Sequence, residues 1–210
     1  MEPELWRPYY PTMNERKRVE ALHGKAISGY LGPFMHSTQF IERYGVACPS
    51  AKIIILLRDP VERAYSHWKW ELLLGGTLAQ NLSFYKDFAT CVNTAIELFP
   101  ENEIDSFCGF PILESGIYFK SIMQWMKAFG PEQVMVLDMA SYYRSRAEIL
   151  DQIQTFLEIP KAEIAGTGRP LNRNPLQKEG MDESSRRALK EFYQPYNEKL
   201  YALIGARYGW

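Results

Sequence analysis

Residues 51–74 read AKIIILLRDPVERAYSHWKWELLL, and two kinds of secondary structure meet inside that stretch at one arginine. Ile53, Ile54, Ile55, Leu56 and Leu57 form an unbroken apolar run with no alternation, the pattern of a strand covered on both faces, as in a parallel sheet. Asp59 then stands as a helix cap, Pro60 fits the first helical position where no amide donor is needed, and Glu62 completes a capping box. The spacing predicts a strand that turns directly into a helix. In open α/β sheets, ligands bind beyond the carboxyl ends of strands, where helix N-termini offer amide donors and a positive dipole end to anions. Arg58 stands at that edge, and Ser66 follows eight residues later, about two turns into the helix. The junction alone leaves two readings open. Either Arg58 and Ser66 clamp an anion, or Arg58 pairs with a nearby carboxylate and Ser66 is an ordinary helix-surface serine.

The segment LLRDPVERAYSHW resembles the 3′-phosphate-binding motif of sulfotransferases that use 3′-phosphoadenosine 5′-phosphosulfate (PAPS), a strand followed by R-[DN]-P-x-x-R-x-x-S. Every fixed position of it is present. The resemblance implies that Arg58 and Ser66 hold the 3′-phosphate of the nucleotide. It continues through SGIYFKSIMQWMKAFGPEQVMVLD and the later QTFLEIP, similar to the family's order of G-x-Y, helix, strand, helix and FL-x-[IL]. LKEFYQPYNEKLYALIG is similar to its closing L-x-x-F-Y-x-P-x-N-x-x-L. In all, the resemblance covers residues 24–205.

The helical spacing of Tyr118, Ile122, Trp125, Met126 and Phe129, the run VMVLD, and the face made by Ile149, Leu150, Ile153, Phe156 and Leu157 alternate helix, strand and helix. That alternation favours a parallel α/β sheet. The resemblance sharpens it to a three-layer α/β sandwich with a central parallel sheet, the P-loop-NTPase-like sulfotransferase fold, in one domain over residues 1–210. A further helix is expected within 84–98. Another carries Leu189, Phe192, Tyr193, Tyr196, Leu200, Leu203 and Ile204, with a kink or break before Pro195.

The family's first element, a strand and a Gly/Ser/Thr-rich loop whose lysine grips the 5′-phosphosulfate, has no counterpart near the start of this chain. Gly24-Lys25-Ala26-Ile27-Ser28 lacks the earlier glycine of a phosphate loop and follows no apolar strand. The resemblance places MEPELW after that element, where the family carries a catalytic glutamate, so Glu4, or Glu2 beside it, is the candidate; a solvated terminus is the plain alternative. Arg173 and Lys178 lie in the Gly/Pro/Asn-rich stretch 166–181. The resemblance implies that this loop folds over the nucleotide and that the two side chains add basic contacts to the 3′-phosphate. His23 and His36 are read first as solvent-facing or hydrogen-bonding residues rather than bases, and His67, next to Ser66 on the helix, points in a different direction and need not share its site.

The chain has 210 residues, 46% of them hydrophobic, and a formal net charge of −1. It can bury a sizeable core, and its charge argues against a general nucleic-acid surface. Three cysteines without a CxxC pair indicate neither a zinc site nor a disulfide framework, and leave a Cys91–Cys108 bridge open. No metal is expected, and no apolar run has the length of a membrane span. The expectation is a cytoplasmic enzyme that moves a sulfuryl group from PAPS to a hydroxyl or amine of a carbohydrate or small-molecule acceptor. A nucleotide-binding remnant without strong catalysis and a P-loop kinase-like enzyme are the rivals. The kinase needs a Walker lysine and magnesium ligands that the sequence does not display.

Overall fold

In the computed structural model, the described residues are 38–74, 87–99, 112–163 and 180–210. They fall in one compact unit, spanning 31–210. In chain order their elements are helix α1 (Thr38–Ala47), strand β1 (Ile53–Leu57), α2 (Pro60–Leu74), α3 (Phe88–Glu97), α4 (Tyr118–Phe129), strand β2 (Val134–Asp138), α5 (Met139–Arg144), α6 (Arg146–Leu157) and α7 (Glu183–Ile204). Short 3₁₀ turns at Glu114–Gly116 and Pro131–Gln133 lead into α4 and β2.

The two strands pair in parallel, from Ile53 opposite Val134 to Leu57 opposite Asp138. A side-chain clasp fixes their entry, since the Gln133 amide donates to the carbonyls of Pro49 (3.0 Å) and Ala51 (2.8 Å). Lys52 secures the same end by donating to the Phe156 carbonyl at 2.7 Å and pairing with Glu158 at 2.9 Å, which docks the C-terminus of α6. Because directly paired residues share a face, Ile53, Ile55, Leu57, Val134 and Val136 look together into a core. They meet Ile41 of α1, Tyr118, Ile122, Trp125 and Phe129 of α4, and Leu200 and Tyr201 of α7. The opposite face is only partly covered, with Ile54 38% and Leu56 44% exposed. An apolar run reports affinity for a nonpolar surrounding and says nothing about which neighbours supply it, so the expected cover on both faces is met on one.

A second core gathers around α2. Val61, Ala64, Tyr65 and Trp68 recur at helical spacing and pack against Phe88, Cys91 and Val92 of α3, Ile112, Leu113 and Ile117, and Leu189 and Tyr193 of α7. Cys91 is buried here; Cys108 lies outside the described residues. Helix α7 continues through Pro195, so of the kink or break expected there no break occurs. Proline removes one intrahelical donor. The residues on either side of it, Tyr193 and Asn197, are buried, and packing on both flanks offsets that loss. The helix ends where Gly205 adopts a left-handed φ of 65°. From there Tyr208 donates to the Val136 carbonyl at 3.0 Å and Trp210 to Asp138 at 3.0 Å, so the last residues run along β2.

Gly116 shows how tightly the second core is built. A Cβ on it would lie 2.7 Å from the ring of Tyr193, which is fully buried and donates to the Leu113 carbonyl at 3.0 Å. Gly116→Ala is therefore expected to cost about 1–3 kcal/mol of stability, the usual scale of overpacking. Urea denaturation measures it, and an unchanged midpoint would show that the turn and the tyrosine do not meet.

Candidate functional site at the carboxyl edge of the sheet

Parallel register brings both strands to an end at the same level, and each hands over to a helix through an aspartate. Asp59 caps α2, accepting from Val61 N at 2.8 Å. Asp138 caps α5, accepting from the Ser141 amide at 2.8 Å and its hydroxyl at 2.9 Å. Asp138 is 2% exposed. Burial pushes its carboxyl up, but the Trp210 indole and the two Ser141 donors outweigh that and hold it below the ordinary value. Asp59 goes the other way. Burial dominates, and it sits above the ordinary carboxylate value despite the backbone donors of Val61 and Glu62.

This geometry alters one expectation. The leading amides of α2 are engaged by the Asp59 carboxylate, so the helix start does not offer them to an outside anion. Glu62, expected to reach back and close a capping box, instead pairs with Arg186 of α7 at 2.6 Å. What this edge leaves open is its side chains.

Arg58 is half-buried, just past the last paired residue of β1. Its carbonyl accepts from the Tyr118 hydroxyl at 2.9 Å, and among the described residues no carboxylate pairs with its guanidinium. Ser66, also half-buried, lies seven residues beyond Asp59 on α2. At ~1.5 Å and ~100° per residue that is about 10 Å along the axis, on nearly the same side of the helix as Asp59. Both residues thus belong to the strand-to-helix junction, Arg58 at the end of β1 and Ser66 within α2. Glu4, Lys25, Arg173 and Lys178 lie outside the described residues.

Arg63, the second arginine of the motif, does something the sequence did not reveal. It donates to the Ile112 carbonyl and approaches His67 Nδ1 at 3.3 Å, while its buried Nε has no hydrogen-bond partner among the described residues. A guanidinium can only donate, so His67 Nδ1 accepts and Nε2 carries the proton toward Glu71, 3.6 Å away. Burial, aided by the Arg63 charge, holds the imidazole below 6.5 in spite of Glu71. It is neutral at pH 7, and the Glu71 contact is not an ion pair there.

The sequence pattern of a family described as "Sulfotransferase domain" matches residues 40–200. Among characterised proteins the chain is similar to mouse carbohydrate sulfotransferase 15, 26% identical over 74% of this chain and 30% of that protein. It is also similar to mouse bifunctional heparan sulfate N-deacetylase/N-sulfotransferase 3, 26% identical over 81% of this chain and 21% of that protein. Human heparan sulfate glucosamine 3-O-sulfotransferase 3B1 is 24% identical over 80% of this chain and 45% of its own length. The chain thus spans less than half the length of these relatives. A solved sulfotransferase from Alicyclobacillus acidocaldarius superposes with a TM-score of 0.66 at 21% identity, over 99% of this chain and 72% of that one, which establishes a shared α/β fold.

The His67 pocket has a measurable pH signature. A folded-state pKa below the ordinary 6.5 means that the unfolded chain binds the proton more readily. The stabilisation is present above 6.5 and is lost as pH falls through the lower folded value. Between pH 6.5 and 5 the wild type is expected to lose more stability than His67→Gln, which cannot titrate; denaturant midpoints across that range decide it, and parallel curves would refute the assignment.

Proposed function

The chain belongs to the sulfotransferase domain family, and from that premise we propose that it binds PAPS and transfers its sulfuryl group to a hydroxyl or amine acceptor. The observation that carries the reading is Arg58: a half-buried cation at the carboxyl edge of a parallel strand, with no carboxylate partner among the described residues. Leaving a cation desolvated and unpaired is costly, and an anionic ligand removes the cost. The hydroxyl of Ser66 fits the same occupant, a phosphate monoester with several acceptor oxygens.

When bound, PAPS supplies the activated sulfuryl group and a phosphate leaving group. Arg58 and Ser66 hold the far end of the nucleotide by its 3′-phosphate and so set its orientation, which converts binding energy into alignment at the reacting end. Arg173 and Lys178 are assigned as further contacts to that phosphate, and Glu4 as the group that accepts the acceptor's proton, on the family resemblance. The relatives' names, carbohydrate and heparan sulfate sulfotransferases, support a carbohydrate acceptor for this chain. Family membership favours sulfuryl transfer over the kinase-like alternative.

Calorimetry with adenosine 3′,5′-bisphosphate and adenosine 5′-phosphate tests the clamp directly. The bisphosphate is expected to bind more tightly, and Arg58→Ala to weaken it by about 1.5–3 kcal/mol, roughly ten- to a hundredfold, with little effect on the monophosphate. Equal affinities of the wild-type chain for both nucleotides would remove the reading.

A further inference from the structure

Arg58 is gripped by its backbone as well as being available through its side chain. The Tyr118 hydroxyl donates to the Arg58 carbonyl at 2.9 Å across 60 residues of sequence. That carbonyl is the first one past the paired stretch of β1, so no β2 partner orients it. The peptide it belongs to joins Arg58 to the Asp59 cap. Its plane sets the backbone angle from which the guanidinium departs.

Tyr118 is itself held in place. It is 6% exposed, so its hydroxyl has little water to turn to, and burial pushes the phenol up to about 12, which keeps the donated proton in place at every working pH. Its ring meets Trp210 edge-on at 6.2 Å. The turn that delivers it, Glu114–Gly116, is tied back to α2 because Arg63 donates to the Ile112 carbonyl, and to α7 because Tyr193 donates to Leu113. The contacts therefore form a closed circuit: from Arg58 through the Asp59 cap into α2, across Arg63 to the 112–117 turn, and through Tyr118 back to Arg58. In a closed circuit no single bond can rotate alone, which is how a binding group is held ready before its ligand arrives.

We propose that Tyr118 is a positioning residue for 3′-phosphate recognition, acting through the Arg58 carbonyl without touching the nucleotide. The proposal rests on the clamp reading above, and its signature is selective. Removing the hydroxyl while keeping the ring frees the Arg58 peptide and weakens only what Arg58 recognises.

Tyr118→Phe is the test, read in the full chain by calorimetry with adenosine 3′,5′-bisphosphate and adenosine 5′-phosphate, with thermal melting alongside. The expected result is a loss of bisphosphate affinity of about three- to tenfold, the worth of one neutral hydrogen bond, with monophosphate affinity unchanged, so that the ratio between them falls. A purely structural role lowers the melting temperature and leaves that ratio where it was. If the wild type discriminates and Arg58→Ala abolishes discrimination while Tyr118→Phe preserves the ratio, the positioning role is overturned and the clamp stands. If the wild type does not discriminate at all, the clamp reading falls first and the role of Tyr118 with it.

Discussion

The parallel register of β1 against β2 is the constraint on which the site depends. With Leu57 opposite Asp138, both strands stop at one level, and the chain must leave each of them by a turn into a helix. Two buried or half-buried aspartates, one cation and one buried tyrosine are thereby gathered along a single edge. A slip of one residue would send Ile55 and Leu57 to the other face and withdraw them from α4, on which Tyr118 rides. The Gln133 clasp at the entry end therefore helps fix the geometry of the exit end.

The same edge shows how a protein divides labour between backbone and side chain. Helix starts are natural anion sites because their amides are unpaired. Here an internal carboxylate has claimed them, and part of the positive end of α2 is spent on Asp59. What is left for an outside anion is a guanidinium and a hydroxyl, whose directions depend on rotamers and on the peptide behind them. A clamp of that kind needs a scaffold behind it, and the scaffold is found in the polar contacts of Arg63, Tyr118 and Tyr193 with carbonyls.

The junction itself was legible because everything that makes it is local. The apolar run, Asp59, Pro60 and Glu62 sit within ten consecutive residues, 53–62. The same holds for VMVLD and for the α4 face. What sequence could not show are contacts between distant segments: Tyr118 to Arg58, and Glu62 to Arg186 across 124 residues. Arg63 illustrates the gap, since its place in the motif was plain while its partner, a main-chain carbonyl, carries no side-chain identity to read. The persistence of α7 through Pro195 belongs with these, because local propensity allowed a kink or a break and packing kept the helix continuous.

Helix α7 contributes Leu189 and Tyr193 to one core and Leu200 and Tyr201 to the other, and Phe119 packs against both. Neither cluster can dissolve without stripping a length of the same rod from its neighbour, so the two melt as one cooperative unit, and the carboxyl edge, whose walls come from both, melts with them. Occupancy at that edge is consequently written into the transition of the whole fold: a ligand that binds only the native form raises the melting temperature in proportion to the logarithm of its concentration over its dissociation constant. The shared spine would then itself be the gauge of that occupancy.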